Sequence, residues 1–308
     1  VLDRSTSELM DPELLPSDLQ AATTTFSQLV NAKLAISRQK EILIYVHGYK
    51  VVFDNPVLVT TELWHFIGYD GVAIAFAWPA TPSRGAYFSD IETAALSSFN
   101  LRMLIEYLEE ETDAESINII GFSAGTRVVI DALAQLALIH GRTPPADLKR
   151  ELPIGQVILV GSDYDRGLFA ARLMDGMLTL PENLTIYTSE MDRALSLSQW
   201  IFGRNRLGQM WTQYPLKPHL QTFLEKNESL RIIDVTNAES AGAGNGHAYF
   251  RSSPWVSSDV LVSLYFGLSP EQRGLVKYPD MPVWHFPDDY LNRLQSLLSI
   301  NHPQSKQQ

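Results

Sequence analysis

The chain has no cysteine in its 308 residues. That absence removes disulfides, thiolate metal ligands and cysteine nucleophiles together. Positive charge is scarce: 24 Lys and Arg face 35 Asp and Glu, a formal net charge of −11. So acidic a chain repels a phosphate backbone, which argues against nucleic acid as a partner. No dense basic run offsets this, and Arg204-Asn205-Arg206 comes nearest to one. Long apolar runs are also missing. The longest, residues 72–80, is strand-length, whereas a helical membrane span needs about 20 residues. Neither a His-x-x-x-His pair nor a clustered carboxylate–histidine pattern occurs, so no metal is expected. The Gly-rich stretch 241–246 lacks the Lys-Ser/Thr and the following helix of a phosphate loop. The chain begins at Val1. The expectation is a soluble protein, cytoplasmic, or in the cell envelope or secreted after loss of a leader.

What is present is an alternation. Residues 1–15 read as an extended arm. A helical pattern follows from Asp18 to Ala35, with Phe26, Leu29, Val30 and Leu34 on one face. From residue 41 short apolar runs take over, at 42–46, 72–77, 117–120, 157–160, 184–187 and 230–233. Their apolar residues are consecutive rather than alternating, which suits strands buried on both faces of a parallel sheet. Helical patterns lie between them at 91–110, 124–140, 166–177 and 194–203. This predicts an α/β fold with at least six strands, mostly parallel and flanked by helices. Residues 203–229, with Trp211, Tyr214, Pro215, Pro218 and Phe223, are too long for a simple connection. They predict a helical excursion, a lid or cap, between the last two core strands. The organisation expected is an arm and helix over 1–40, one catalytic-sized domain over 41–300, and a polar tail over 301–308.

Gly121-Phe122-Ser123-Ala124-Gly125 matches G-x-S-x-G, directly after one predicted strand and before one predicted helix. That context makes Ser123 the candidate nucleophile of a strand–turn–helix elbow. The helix that follows points its N-terminus at developing negative charge. The first core strand ends in Tyr45-Val46-His47-Gly48-Tyr49. An amide just after that strand pairs with the amide following the nucleophile in such sites, so the N–H groups of Tyr49 and Ala124 are the candidate oxyanion hole. Gly48 lets the backbone pass close to substrate. His47 precedes the serine and is read as structural. Gly48, Trp78 and Phe122 are the candidate pocket residues.

A serine needs a base, and the base needs an orienting carboxylate, here expected in the order Ser, Asp/Glu, His. Residues 188–193 follow the fifth predicted strand and contain Glu190 and Asp192. Asp192 is the candidate acid; Glu190 could substitute, and Asp163 lies one strand earlier. The plainer reading of Asp192 is the N-cap of the helix starting at Arg193. Of His219, His247, His285 and His302, only His247 lies in a loop leaving the last predicted core strand, behind a run of glycines. It is the candidate base.

With those residues in hand, the chain resembles the bacterial alpha/beta hydrolases grouped as domain of unknown function number nine hundred. The resemblance runs over roughly residues 40–275. It rests on Val46-His47-Gly48-Tyr49, Ala77-Trp78-Pro79-Ala80, the segment from Tyr87 to Ala94, the elbow, residues 187–195, and Gly246-His247-Ala248-Tyr249-Phe250. Members of that family carry His-Ser-Met at the elbow, where this chain has Phe122-Ser123-Ala124. The resemblance implies an α/β-hydrolase fold and esterase- or lipase-like chemistry, and gives no substrate. From the triad itself the expectation is a small acyl ester as substrate, with no cofactor. A thioesterase, amidase or acyltransferase would use the same residues. A non-catalytic binding module is the reading outside enzymes, and the aromatic stretch 196–203 is one that could meet a membrane surface.

Overall fold

The computed structural model describes residues 17–81, 87–196, 205–209 and 218–301. Helix α1 (Ser17–Leu34) leads into strand β1 (Glu41–Val46). Then follow α2 (Asp54–Phe66), β2 (Val72–Phe76), α3 (Tyr87–Glu111), β3 (Ser116–Phe122), α4 (Gly125–Ile139), α5 (Pro145–Glu151), β4 (Ile154–Val160), α6 (Arg166–Met174) and β5 (Asn183–Thr188). The second half holds α7 (Pro218–Lys226), β6 (Leu230–Asp234), α8 (Tyr249–Ser252), α9 (Pro254–Phe266), β7 (Val276–Lys277), β8 (Trp284–His285) and α10 (Tyr290–Asn301). The expected extended arm, Trp211, Tyr214, Pro215, His302 and most of 196–203 lie outside the described residues. Within 203–229 the described part carries helix α7.

The strands form one eight-stranded sheet in the order β2-β1-β3-β4-β5-β6-β8-β7, parallel throughout except for the β7–β8 pair. This is the mostly parallel, helix-flanked sheet expected from the sequence. Two strands go beyond the six predicted. Each has two residues, too short to leave a periodic signal.

The consecutive apolar residues of the strands feed two cores, because successive side chains point to opposite faces. Ile42, Ile44 and Val46 of β1 join one core with Leu101 and Ile105 of α3 and Val128 and Leu133 of α4. Leu43 and Tyr45 join the other, with Val59 and Leu63 of α2 and Val256 and Val260 of α9. Beneath the second core, Arg273 and Asp259 form a buried two-pronged ion pair (2.7 and 3.1 Å), and the Tyr187 hydroxyl donates to Asp259 (2.6 Å).

The register decides where the loops meet. Val46 lies beside Gly121, Phe122 beside Val160, Val160 beside Tyr187, and Thr188 beside Asp234. The C-terminal ends of β1, β3, β4, β5 and β6 therefore lie side by side, and the loops leaving them share one edge. Open α/β sheets place their ligand crevice at this edge.

Candidate active site

The turn after β3 is strained. Ser123 has φ of 53°, a left-handed conformation that side chains other than glycine's rarely adopt. The flanking glycines show why the turn needs them. A Cβ on Gly125 would lie 2.3 Å from the His47 carbonyl oxygen, and one on Gly121 would lie 3.0 Å from Val129 and 3.2 Å from the Thr126 Cα. The turn is pinned by the Ser123 N–H donating to the Val160 carbonyl (2.9 Å) and by the Thr126 hydroxyl donating to the Ser123 carbonyl (2.6 Å). Ala124 occupies the cap position of α4, where first-turn N–H groups have no partner within the helix.

Beside the elbow runs the turn leaving β1. A Cβ on Gly48 would lie 2.9 Å from the Ser123 Cβ, so only glycine lets the two backbones pass. Trp78 holds this turn from below. Its indole N–H donates to the His47 carbonyl (2.6 Å), and its ring stacks on the His47 imidazole at 5.4 Å. His47 is buried, and burial lowers its pKa. Its Nδ1–H donates to the Gly48 carbonyl (2.6 Å). The pocket reading of Trp78 is thereby corrected: it is almost fully buried beneath His47 and forms no part of the cleft wall.

Three other sequence candidates come together. The His247 Nε2 lies 2.8 Å from the Ser123 Oγ, and its Nδ1 lies 2.6 Å from the Asp192 Oδ2. The residues are 124 and 55 positions from His247 in the chain. Asp192 is buried, and its other oxygen accepts the Leu195 N–H (3.0 Å). The carboxylate thus caps a helical turn and meets the imidazole at once. The His247 loop is held by Asn245, whose side chain accepts the His247 N–H (3.2 Å) and whose carbonyl accepts the Arg193 N–H (3.1 Å). Gly246, at φ of 69°, passes so close to Met191 that a Cβ would lie 2.2 Å from its carbonyl oxygen. Phe122 packs against the imidazole, with ring centroids 5.1 Å apart, and against Phe250 at 4.9 Å.

The other candidates are engaged elsewhere. Asp163 is clamped by two arginines. Arg127 Nη2 lies 3.3 Å from one carboxylate oxygen, and Arg206 Nε lies 3.4 Å from the other. Glu190 is exposed, with its backbone N–H donating to the Thr236 hydroxyl (3.1 Å). His285 lies on β8 and stacks on Tyr278 at 4.4 Å. The side chain of His219 lies outside the described residues.

The sequence reading missed Tyr249. It is fully buried, and its hydroxyl accepts the Gly161 N–H (2.7 Å) and donates to the Tyr187 carbonyl (3.0 Å). It thereby ties the loop after β4 and the end of β5 to the segment that carries His247. Burial, and then the Asp192 charge, raise its pKa well above that of a free phenol. The signal available was an aromatic with a hydroxyl two residues after the candidate base.

Ser123 opens into a cleft of about 290 Å³ lined by Tyr49, Lys50, Phe122, Ala124, Asp163, Ala194, Leu195, Asn245 and His247. A larger groove of about 1040 Å³ runs between α7, β7–β8 and α10 and shares none of these residues. Among the described residues no group of three or more His, Asp or Glu could hold a metal ion. Among them, too, no helix is long and apolar enough to cross a membrane.

A family model described as alpha/beta hydrolase of unknown function (DUF900) matches residues 22–263. No curated protein matches the chain. Solved structures that match it distantly include two bacterial proteins. An uncharacterized protein from Bacillus cereus ATCC 10987 is 11% identical over 97% of this chain and 65% of its own, with a TM-score of 0.29. A lipase-esterase related protein from Clostridium acetobutylicum ATCC 824 is 13% identical over 64% of this chain and 74% of its own, with a TM-score of 0.22. This chain thus spans about 65% of the length of the Bacillus cereus protein.

Proposed function

The chain belongs to the alpha/beta hydrolases of unknown function gathered as DUF900, and from that premise we propose that it hydrolyses a small carboxylic ester through an acyl-enzyme on Ser123. The observation that carries this reading is the continuous hydrogen-bonded line from the buried Asp192 through His247 to Ser123, at 2.6 and 2.8 Å. A base within hydrogen-bond reach of the nucleophile, itself oriented by a third group, can activate a serine.

The chemistry follows from that line. The His247 Nε2 takes the Ser123 hydroxyl proton as Oγ attacks the acyl carbonyl carbon. The carbonyl π electrons move to oxygen, and the N–H groups of Tyr49 and Ala124 receive the oxyanion at the positive end of α4. Asp192 holds the ring and stabilises the imidazolium. Collapse of the intermediate breaks the bond to the alkoxy oxygen, which leaves with the proton from His247. Water, deprotonated by the same imidazole, then attacks the acyl-enzyme and releases the acid and Ser123. No external cofactor enters these steps.

The test is a fluorophosphonate label mapped by peptide mass, alongside a hydrolysis screen of esters, thioesters and amides at several acyl lengths. The expected result is a single adduct on Ser123 and ester turnover that Ser123→Ala abolishes. Labelling on another serine, or turnover that survives the substitution, refutes the reading. Preference for a thioester or amide would keep the acyl-enzyme and correct the leaving group.

A further inference from the structure

We infer, on the acyl-transfer reading above, that Tyr249 is a positioning residue of the reaction. Its hydroxyl fixes Gly161, and Gly161 sets the place of the His247 ring between Asp192 and Ser123.

The end of the sheet gives the hydroxyl its task. Val160 and Tyr187 are the last pair of the β4–β5 ladder. Just beyond that pair the chain turns through the left-handed Gly161, at φ of 56°. The Gly161 N–H and the Tyr187 carbonyl are backbone groups that need partners once buried. Instead of closing on each other, both meet the Tyr249 hydroxyl, which accepts the N–H (2.7 Å) and donates to the carbonyl (3.0 Å). The phenol is fully buried. Burial first, and the Asp192 charge second, raise its pKa well above the ordinary value. It therefore keeps its proton, and remains a donor, throughout the range in which a histidine base works.

Gly161 passes that placement on. A Cβ there would lie 3.0 Å from His247 Cε1, 3.2 Å from its Nδ1 and 3.6 Å from Asp192 Oδ2. The glycine backbone is thus the wall behind the 2.6 Å hydrogen bond between Nδ1 and Asp192. The residues on either side of Gly161 hold the nucleophile. The Val160 carbonyl accepts the Ser123 N–H (2.9 Å). The Ser162 hydroxyl donates to the Thr126 hydroxyl (2.9 Å), which donates to the Ser123 carbonyl (2.6 Å). Residues 160–162 therefore brace both the elbow and the ring, and Tyr249 supplies the hydrogen bond that places the middle one. Without the hydroxyl, the Gly161 N–H and the Tyr187 carbonyl draw together or stay bare. Either way Gly161 shifts against a ring that must be held to within about 0.5 Å.

Tyr249→Phe keeps the ring and removes only the hydroxyl. It should lower kcat on a good ester about tenfold, as a shift of a few tenths of an ångström does when about 1 Å costs about 100-fold. KM should stay within about twofold. Tyr290→Phe is the control: it too removes a buried tyrosine hydroxyl, one that donates to Asp259 (3.4 Å) in the second core, and it should keep kcat. Loss of kcat in both variants, or in neither, overturns the inference. The proton NMR signal of the His247 Nδ1–H, identified by its absence in His247→Gln, reads the ring without turnover. It should move in Tyr249→Phe and not in Tyr290→Phe. A signal that stays in place overturns the inference whatever the rates do. The same signal decides the matter if the wild-type protein shows no Ser123-dependent turnover, an outcome that strikes the esterase reading alone. Should Tyr249→Phe fail to fold, 4-aminophenylalanine at position 249 replaces it, since its amine still donates to the Tyr187 carbonyl but accepts poorly from the Gly161 N–H. The lower kcat and the moved signal are expected there as well, and wild-type values overturn the inference.

Discussion

Gly161 is the sharpest test of whether the His247 geometry matters. It follows β4 at φ of +56°, and a Cβ placed there would lie 3.0 Å from His247 Cε1, 3.2 Å from its Nδ1 and 3.6 Å from Asp192 Oδ2. Gly161→Ala therefore does two things. It costs about 1–2 kcal/mol for a left-handed alanine, and it obliges the imidazole to give way by a few tenths of an ångström. Gly176 supplies the control: it has φ of +89° with nothing within 4 Å of an added Cβ, and it precedes β5 at the opposite edge of the sheet. Gly176→Ala carries the backbone cost alone. Both variants should lower the urea midpoint alike, with a melting shift of roughly 2–4 °C per kcal/mol or somewhat less for a chain this long. Only Gly161→Ala should lose kcat on a good ester. A misplacement near 1 Å costs roughly 100-fold, so a shift of a few tenths should cost about tenfold. If Gly161→Ala keeps kcat within about twofold of wild type, the ring is not held against Gly161 during turnover. Equal losses in both variants would mean that stability, not positioning, sets the rate.

Asp192→Asn should lower kcat by up to about 10⁴ by presenting the wrong tautomer to His247, yet melt close to wild type, because asparagine still caps the turn at Leu195. Asp163→Asn should do the reverse: it breaks a buried double ion pair, costing about 3–5 kcal/mol in denaturant, with little loss of kcat. An Asp163→Asn variant more crippled in turnover than Asp192→Asn would reassign the acid. His47 predicts a pH effect on stability. Its pKa is lowered by burial, so the unfolded chain binds that proton first. The His47 contribution is complete above about pH 6.5 and is lost as pH falls from there through the lowered folded value. The midpoint-against-pH slope below that point should flatten in His47→Gln, and an unchanged slope would refute it.

The elbow was legible because its requirements are local. Two glycines around Ser123, a β-rich run before it and a helical run after it answer to sterics within about ten residues. The order of the sheet, the two-residue strands β7 and β8, and helix α9 were not. α9 is apolar nearly all round, so it has no strong face to read, and the pairing of Trp284 with Ile233 leaves no periodic trace in a two-residue strand. Trp78 was misread as pocket because an aromatic near a catalytic turn has the same sequence signature whether it faces the cleft or supports the turn from below.

The sequence alone determined the α/β class, the position of the strained turn, and the residue types able to act there, since backbone conformation and side-chain chemistry are written locally. It put Asp192 forward as the acid, with Glu190 and Asp163 as the alternatives, and had no contact by which to decide among them. The tertiary structure decided that Asp192 lies 2.6 Å from His247 while two arginines occupy Asp163. It also decided that Tyr249 ties three loops together. These are contacts between segments tens of residues apart. They depend on sheet register and on which charges burial brings face to face, and no local pattern in the chain records either.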